Sequence, residues 1–124
     1  MQEIDFNVSS ATRIGMRTSL KIMEKWGCNQ EQVQALLRLP KHYNDLDFEQ
    51  VSFNQEQIER ISYILNIHAS LKALFSNPEN IYGFMSMVNH NQPFNGTKPI
   101  DMIFNGENKN LQLVMEHIDQ LFIR

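Results

Sequence analysis

Apolar residues recur along this chain at spacings of three and four, and no run alternates apolar and polar residues long enough to make a strand. The pattern predicts an all-α fold. A first helix is expected over Thr12–Trp26, with Met16, Leu20 and Met23 as its inner stripe and Ile22 and Trp26 beside them. Gly27 then supplies the left-handed residue that ends a helix. Asn29 caps a second helix, with Gln32 in the capping-box position and Val33, Leu36 and Leu37 as the buried face. Pro40 forces a turn or opens a short third helix reaching about Phe48.

Asn54, with Gln57 three residues on, starts the longest predicted helix, Gln55–Phe75. It carries two apolar stripes, one of Ile58, Ile61 and Leu65 and another of Ile64, Ile67, Leu71 and Leu74. A helix apolar on two sides packs on two sides, so this one belongs at the centre. Ser76-Asn77-Pro78 caps and opens a helix with Ile81, Phe84, Met85 and Val88, ending near Asn89. Residues 90–98 form a polar loop. Pro99–Phe104 makes a short helix closed at Asn105-Gly106, and Asn108–Phe122 a last one with Leu111, Val114, Met115, Ile118, Leu121 and Phe122 on one face. The organisation predicted is a tail (1–11), an N-terminal module (12–53), a connecting helix (54–75) and a C-terminal helical module (76–124).

At 124 residues the chain is long enough for a core of its own without covalent staples. The single cysteine, Cys28, excludes an internal disulfide and a Cys-rich zinc site. With no base near it in sequence, it reads as a buried, inert thiol. No apolar stretch is long enough for a membrane helix, and Met1–Asp5 lacks the layout of a secretion signal, so a cytoplasmic protein without a membrane partner is expected. No phosphate-loop, dinucleotide, nucleophile-elbow or zinc-protease motif occurs. His42, His68, His90 and His117 are scattered one per element, so no metal and no cofactor is expected and the chain does not read as an enzyme.

Charge changes the picture more than composition does. The net charge is −3, yet residues 13–44 hold six basic residues against Glu24 and Glu31. Asp45, Asp47, Glu49, Glu56 and Glu59 follow, opposed only by Arg60. Arg13, Arg17, Lys21 and Lys25 step by four along the first helix, which makes either a solvated face or a ridge for phosphate contact. The Gln30–Leu39 helix, the turn at Pro40 and the segment after it have the proportions of a helix-turn-helix, although an ordinary helical corner has them too. The candidate DNA-contacting residues are therefore Arg13, Arg17, Lys25, Arg38, Lys41, His42, Tyr43 and Asn44.

The order of motifs resembles that of the Xre/MbcA/ParS-type antitoxins of bacterial toxin–antitoxin pairs. The N-terminal likeness lies in Ile22-Met23-Glu24-Lys25-Trp26-Gly27, Gln32–Leu39 and Ile58-Glu59-Arg60-Ile61-Ser62. The C-terminal likeness lies in Leu71-Lys72-Ala73-Leu74-Phe75, an asparagine-containing loop, Gly96-Thr97-Lys98-Pro99, the apolar Ile100–Phe104 segment and Gly106. Two departures are Phe84, where the family often has tryptophan, and the short stretch after Phe122.

The resemblance implies an Xre-like helix-turn-helix module that binds operator DNA and a C-terminal module that neutralises a toxin encoded beside it. The family's usual toxin is a RES-domain protein that attacks NAD, and its antitoxins are homodimers. Carried onto this sequence, the toxin contact falls on Asn89, Asn91, Phe94, Asn95, Lys98, Met102 and Arg124. The residues themselves offer Pro93-Phe94 as an exposed anchor in the polar loop, or Phe94 folded back to cover the short helix. Met85, Met87, Met102 and Met115 offer either adaptable surface or core filling. The alternatives are a stand-alone helix-turn-helix regulator, or an interaction protein whose DNA-binding module no longer functions.

Overall fold

The computed structural model describes residues 10–48, 50–104 and 108–122. Among them all regular structure is helical: α1 (Ser10–Lys25), α2 (Gln30–Leu37), α3 (Gln55–Leu74), α4 (Pro78–Gly83), α5 (Pro99–Phe104) and α6 (Asn108–Phe122). Single 3-10 turns lie at Tyr43–Asp45 and Phe84–Ser86. No helix of the described residues is long and apolar enough to cross a membrane. Glu49, Asn105 and Gly106 fall outside the described residues, as do Arg124 and the side chain of Phe122.

The helix ends follow their local chemistry. Gly27, at φ +85°, closes α1 while the Cys28 amide donates to the Met23 carbonyl at 3.0 Å and the Gly27 amide to Glu24 at 3.0 Å. This crossed pair satisfies carbonyls that a helix otherwise leaves open. Asn29 and Gln32 exchange backbone-to-side-chain bonds of 2.8 Å at the start of α2. Asn54 and Gln57 do the same for α3, at 3.0 and 2.9 Å. Asn77 accepts from the Asn80 amide at 2.8 Å ahead of Pro78, which needs no donor at the first position of α4.

Helix α3 is the axis of the molecule, packing against α1 and, on another side, against α6. Ile61, Ile64, Ile67 and Leu71 are buried along it, in one core with Met16, Met23, Trp26, Leu36 and Leu37 from the N-terminal half and Met85, Ile103, Leu111, Val114 and Ile118 from the C-terminal half. Gly15 lets α1 approach α3 closely: a Cβ there would stand 3.1 Å from Ile61 Cγ2. Polar bonds join the same elements, from Asn108 Nδ2 to Glu59 at 2.9 Å and from Ser70 Oγ to Asp119. Asn110 Nδ2 caps α5 through the Met102 carbonyl at 3.2 Å.

Gln57 has a second task. Its Nε2 donates to the carbonyls of Leu37 (3.3 Å) and Arg38 (3.0 Å), so the side chain that opens α3 also closes α2. Arg60, only 1% exposed, adds a bond from Nη1 to the Leu36 carbonyl at 3.1 Å. A cation at a helix C-terminus faces the negative end of the helix dipole, so this placement is favourable as well as satisfying.

Two expectations of the sequence need correction. Only the 3-10 turn Tyr43–Asp45 stands where a third helix reaching Phe48 was expected, so the second helix of the expected helix-turn-helix is not formed there. Tertiary contacts hold the segment in this shape. Gln34 Nε2 takes the Lys41 carbonyl at 2.7 Å, Arg13 Nε takes the Phe48 carbonyl at 3.0 Å, and Phe48 and Phe53 are buried edge-to-face at 5.8 Å. The helix expected to run to Asn89 breaks at Gly83 and ends as a 3-10 turn at Ser86. Beyond it, the Asn89 amide donates to Thr97 (3.0 Å) and its carbonyl accepts from Gly96 (2.8 Å), an extended pairing that a helix excludes.

Candidate interaction surface

The loop between Ser86 and Pro99 is short of regular structure but dense in hydrogen bonds. Asn89 Oδ1 accepts from the Asn91 amide at 2.9 Å, and the Asn91 carbonyl accepts from Phe94 (2.9 Å) and Asn95 (3.1 Å). Thr97 binds the Phe94 carbonyl through both its amide (3.0 Å) and its Oγ1 (2.7 Å). The Gln92–Pro93 peptide is cis, and Asn95 (φ +52°) and Gly96 (φ +92°) turn the chain through the left-handed region. Beneath this frame Phe94 is 2% exposed, edge-to-face with His117 of α6 at 5.2 Å and with Phe84 at 6.4 Å.

Phe94 is therefore folded back, and is not an exposed anchor. It is the peg that holds the loop to α6. Removing the ring from water is worth more than presenting it in a polar loop, and two aromatic neighbours receive it. The surface of the loop is formed instead by Asn91, Gln92, Asn95 and Lys98, all exposed, with Asn89 and Met102 half-buried. The Lys98 carbonyl accepts from Asp101 and Met102 and so starts α5. Of the four methionines read as adaptable surface or filler, Met85 is buried, Met102 and Met115 half-buried, and Met87 54% exposed. Val88 beside it is 53% exposed, and Leu113 of α6, which shares a surface cleft with Gln92, Pro93 and His117, is 42% exposed. The loop thus presents exposed amide side chains on an ordered backbone, with apolar side chains at its base. Arg124, the remaining residue expected at the toxin contact, lies outside the described residues.

The eight residues proposed for DNA contact do not form one surface of like character. Tyr43 is 6% exposed, a correction to its expected place at a groove-facing position. Burial, and then the neighbouring Cys28, push its hydroxyl above the usual range. Arg13 is half-buried and spends its Nε on Phe48. Arg38 adopts φ +53° at the end of α2 and pairs with Glu56 at 3.6 Å. Lys25 places Nζ 4.9 Å from the centre of the Tyr82 ring. Lys41, His42 and Asn44 are exposed on the turn, and Arg17 shares a shallow cleft with Tyr43, Asn44 and Asp47.

No family model, curated protein or solved structure matches this chain significantly. Other groups behave as structural chemistry dictates. Burial pushes the Cys28 thiol up to about 12, which keeps it protonated and a poor nucleophile at neutral pH. Burial and the Arg38 charge lower the Arg60 pKa, against the opposing pull of Glu56 at 3.7 Å.

Sequence reasoning missed the two residues that join α2 to α3. Gln57 was legible as a cap of α3, but its free amide end was not, since no pattern says which neighbouring carbonyls lie within reach. Arg60 looked like the lone opposition to an acidic band; a buried arginine four residues after Glu56 has no signature that separates it from a surface ion pair.

Proposed function

We propose that this chain is a protein-binding antitoxin that neutralises a toxin encoded beside it, with a RES-like, NAD-attacking enzyme as the target. The observation that carries the reading is the rigid Met87–Lys98 loop. Its backbone is fixed by internal bonds and the buried Phe94, while Met87, Val88 and a row of amide side chains face outward. An inhibitor gains affinity from such a surface because little ordering remains to be done on binding. The motif order quoted for the family supports the same role, since its loop-bearing C-terminal module is the part that meets the toxin.

The deciding experiment expresses the adjacent gene with and without this chain. Growth arrest that this chain relieves, with the two proteins co-purifying, supports the reading. A harmless neighbour, or a neighbour that does not co-purify, overturns it.

A second reading adds operator binding and autorepression, as a homodimer. Exposed Lys41, His42 and Asn44 beside Arg17 favour it, although they sit on a turn and not on a recognition helix. Phosphate contacts there make binding to upstream DNA fall steeply with salt. Absence of binding at low salt refutes this arm and leaves the first intact.

A further inference from the structure

Away from the loop, three helices bring basic and aromatic side chains to one place. Lys25, the last residue of α1, lies over the Tyr82 ring of α4 at 4.9 Å. On α3, His68 stacks against the same ring, with centroids 5.5 Å apart and planes at 21°. Lys72 stands one turn further along α3 on the His68 face, and Lys21 one turn before Lys25 on α1. Lys21, Lys25 and Lys72 are exposed, and His68 and Tyr82 half-buried.

The charged and titratable groups facing His68 are thus Lys25 from α1, Lys72 from its own helix and Tyr82 from α4. Burial and then the charges of Lys72 and Lys25 hold the imidazole below its ordinary pKa, and its Nδ1 is buried without a hydrogen bond. At neutral pH the ring is uncharged and forms a floor with Tyr82, which the Lys25 ammonium covers, with Lys72 one turn along α3 from His68. Like charges drawn together on a shared floor repel, and the partner that relieves both at once is a single anion seated between them. Two positive charges beside one ring stack match a dianion better than a lone carboxylate.

We propose that Lys25 and Lys72, across the His68–Tyr82 stack, bind a phosphate-type dianion, either free phosphate or a phosphomonoester. The site is separate from the Met87–Lys98 loop and stands independently of the antitoxin reading.

The test titrates the full chain with inorganic phosphate at pH 7.5, ionic strength held constant with sodium chloride, while the ring resonances of His68 and Tyr82 are followed by NMR. The expected result is a saturable shift centred on these rings, an upward move of the His68 pKa in the bound state, and at least tenfold weaker binding in Lys25→Gln and Lys72→Gln. Lys109→Gln, on α6, should bind as the parent does. Repeating the titration with glycerol phosphate separates the sources: an equal response supports a site for the free or the esterified group, and a tighter one supports a phosphomonoester ligand. A linear, unsaturable shift, or binding undiminished in both lysine variants, overturns the proposal. So does a response to duplex DNA with none to phosphate or glycerol phosphate.

Discussion

Replacing Phe94 with alanine tests whether this residue is a peg or a surface contact. The ring is 2% exposed and meets two aromatic neighbours, His117 at 5.2 Å and Phe84 at 6.4 Å. Truncating a buried phenylalanine to alanine costs about 3 to 5 kcal/mol, from lost transfer energy and the cavity left behind. Here the loop lies over α6 and can partly collapse into the space, which places the loss toward the lower end, about 3 kcal/mol. For a chain of this size that corresponds to a fall in melting temperature of roughly 10 to 15 °C.

Urea unfolding followed by circular dichroism measures the loss. Hydrogen exchange at the amides of Asn89 and Gly96, which bond to Thr97 and Asn89 across the loop, reports where it falls. Both should lose protection. A destabilisation below about 1 kcal/mol, within reach of an ordinary surface substitution, together with unchanged exchange at both amides, refutes the reasoning. Phe94 would then be a contact residue after all.

Other outcomes follow from the same geometry. Gln57→Leu removes the acceptor of the Asn54 amide and leaves the Leu37 and Arg38 carbonyls without their donor, so a loss of about 2 to 4 kcal/mol in urea unfolding is expected; Gln57→Glu, which keeps the acceptor oxygen for Asn54, should still lose the α2 bonds. Arg38→Gly relieves a left-handed backbone at the cost of an exposed ion pair with Glu56, and should raise stability by about 0.5 to 1 kcal/mol; a decrease would show the pair to matter more than the strain. His68 has a folded pKa below its unfolded value, so between these two values the unfolded chain binds more protons and stability falls as pH drops through the window below about 6.5. His68→Phe should flatten that limb of the melting-temperature profile. Cys28 gives the opposite limb: the unfolded thiol ionises from 9.0 while the folded one resists to about 12, so stability falls as pH rises across that interval, and Cys28→Ala should flatten it.

Much of the fold was legible because its signals are local. The Asn29/Gln32 and Asn54/Gln57 pairs and Asn77-Pro78 mark helix starts by hydrogen bonds that reach only three residues. The two apolar stripes of α3 correctly placed it between the halves. What failed depends on distant partners. Nothing local says that Phe48 will be drawn into the core beside Phe53, or that its carbonyl will meet Arg13, and those contacts prevent a helix after Pro40. Phe94 looked exposed because its neighbours in sequence are polar, whereas the residues that cover it come from α6 and the 3-10 turn at Phe84. The site residues inherit the same limit: a list of basic positions does not reveal that Tyr43 is buried or that Lys25 has turned to Tyr82.

The double duty of Gln57 bears on how the N-terminal half behaves under attack. Helix ends ordinarily fray independently, but here one side chain seals the end of α2 to the beginning of α3. The strand of chain between them is consequently a closed handle, gripped at its two bases and pinned midway by Phe48 and Phe53. Cutting the handle with a protease would sever the polypeptide without parting the helices. The nicked protein should run as two fragments in denaturant and as one particle in buffer, with the load of holding α2 in place passed wholly to Gln57, Arg60 and the leucines beneath them.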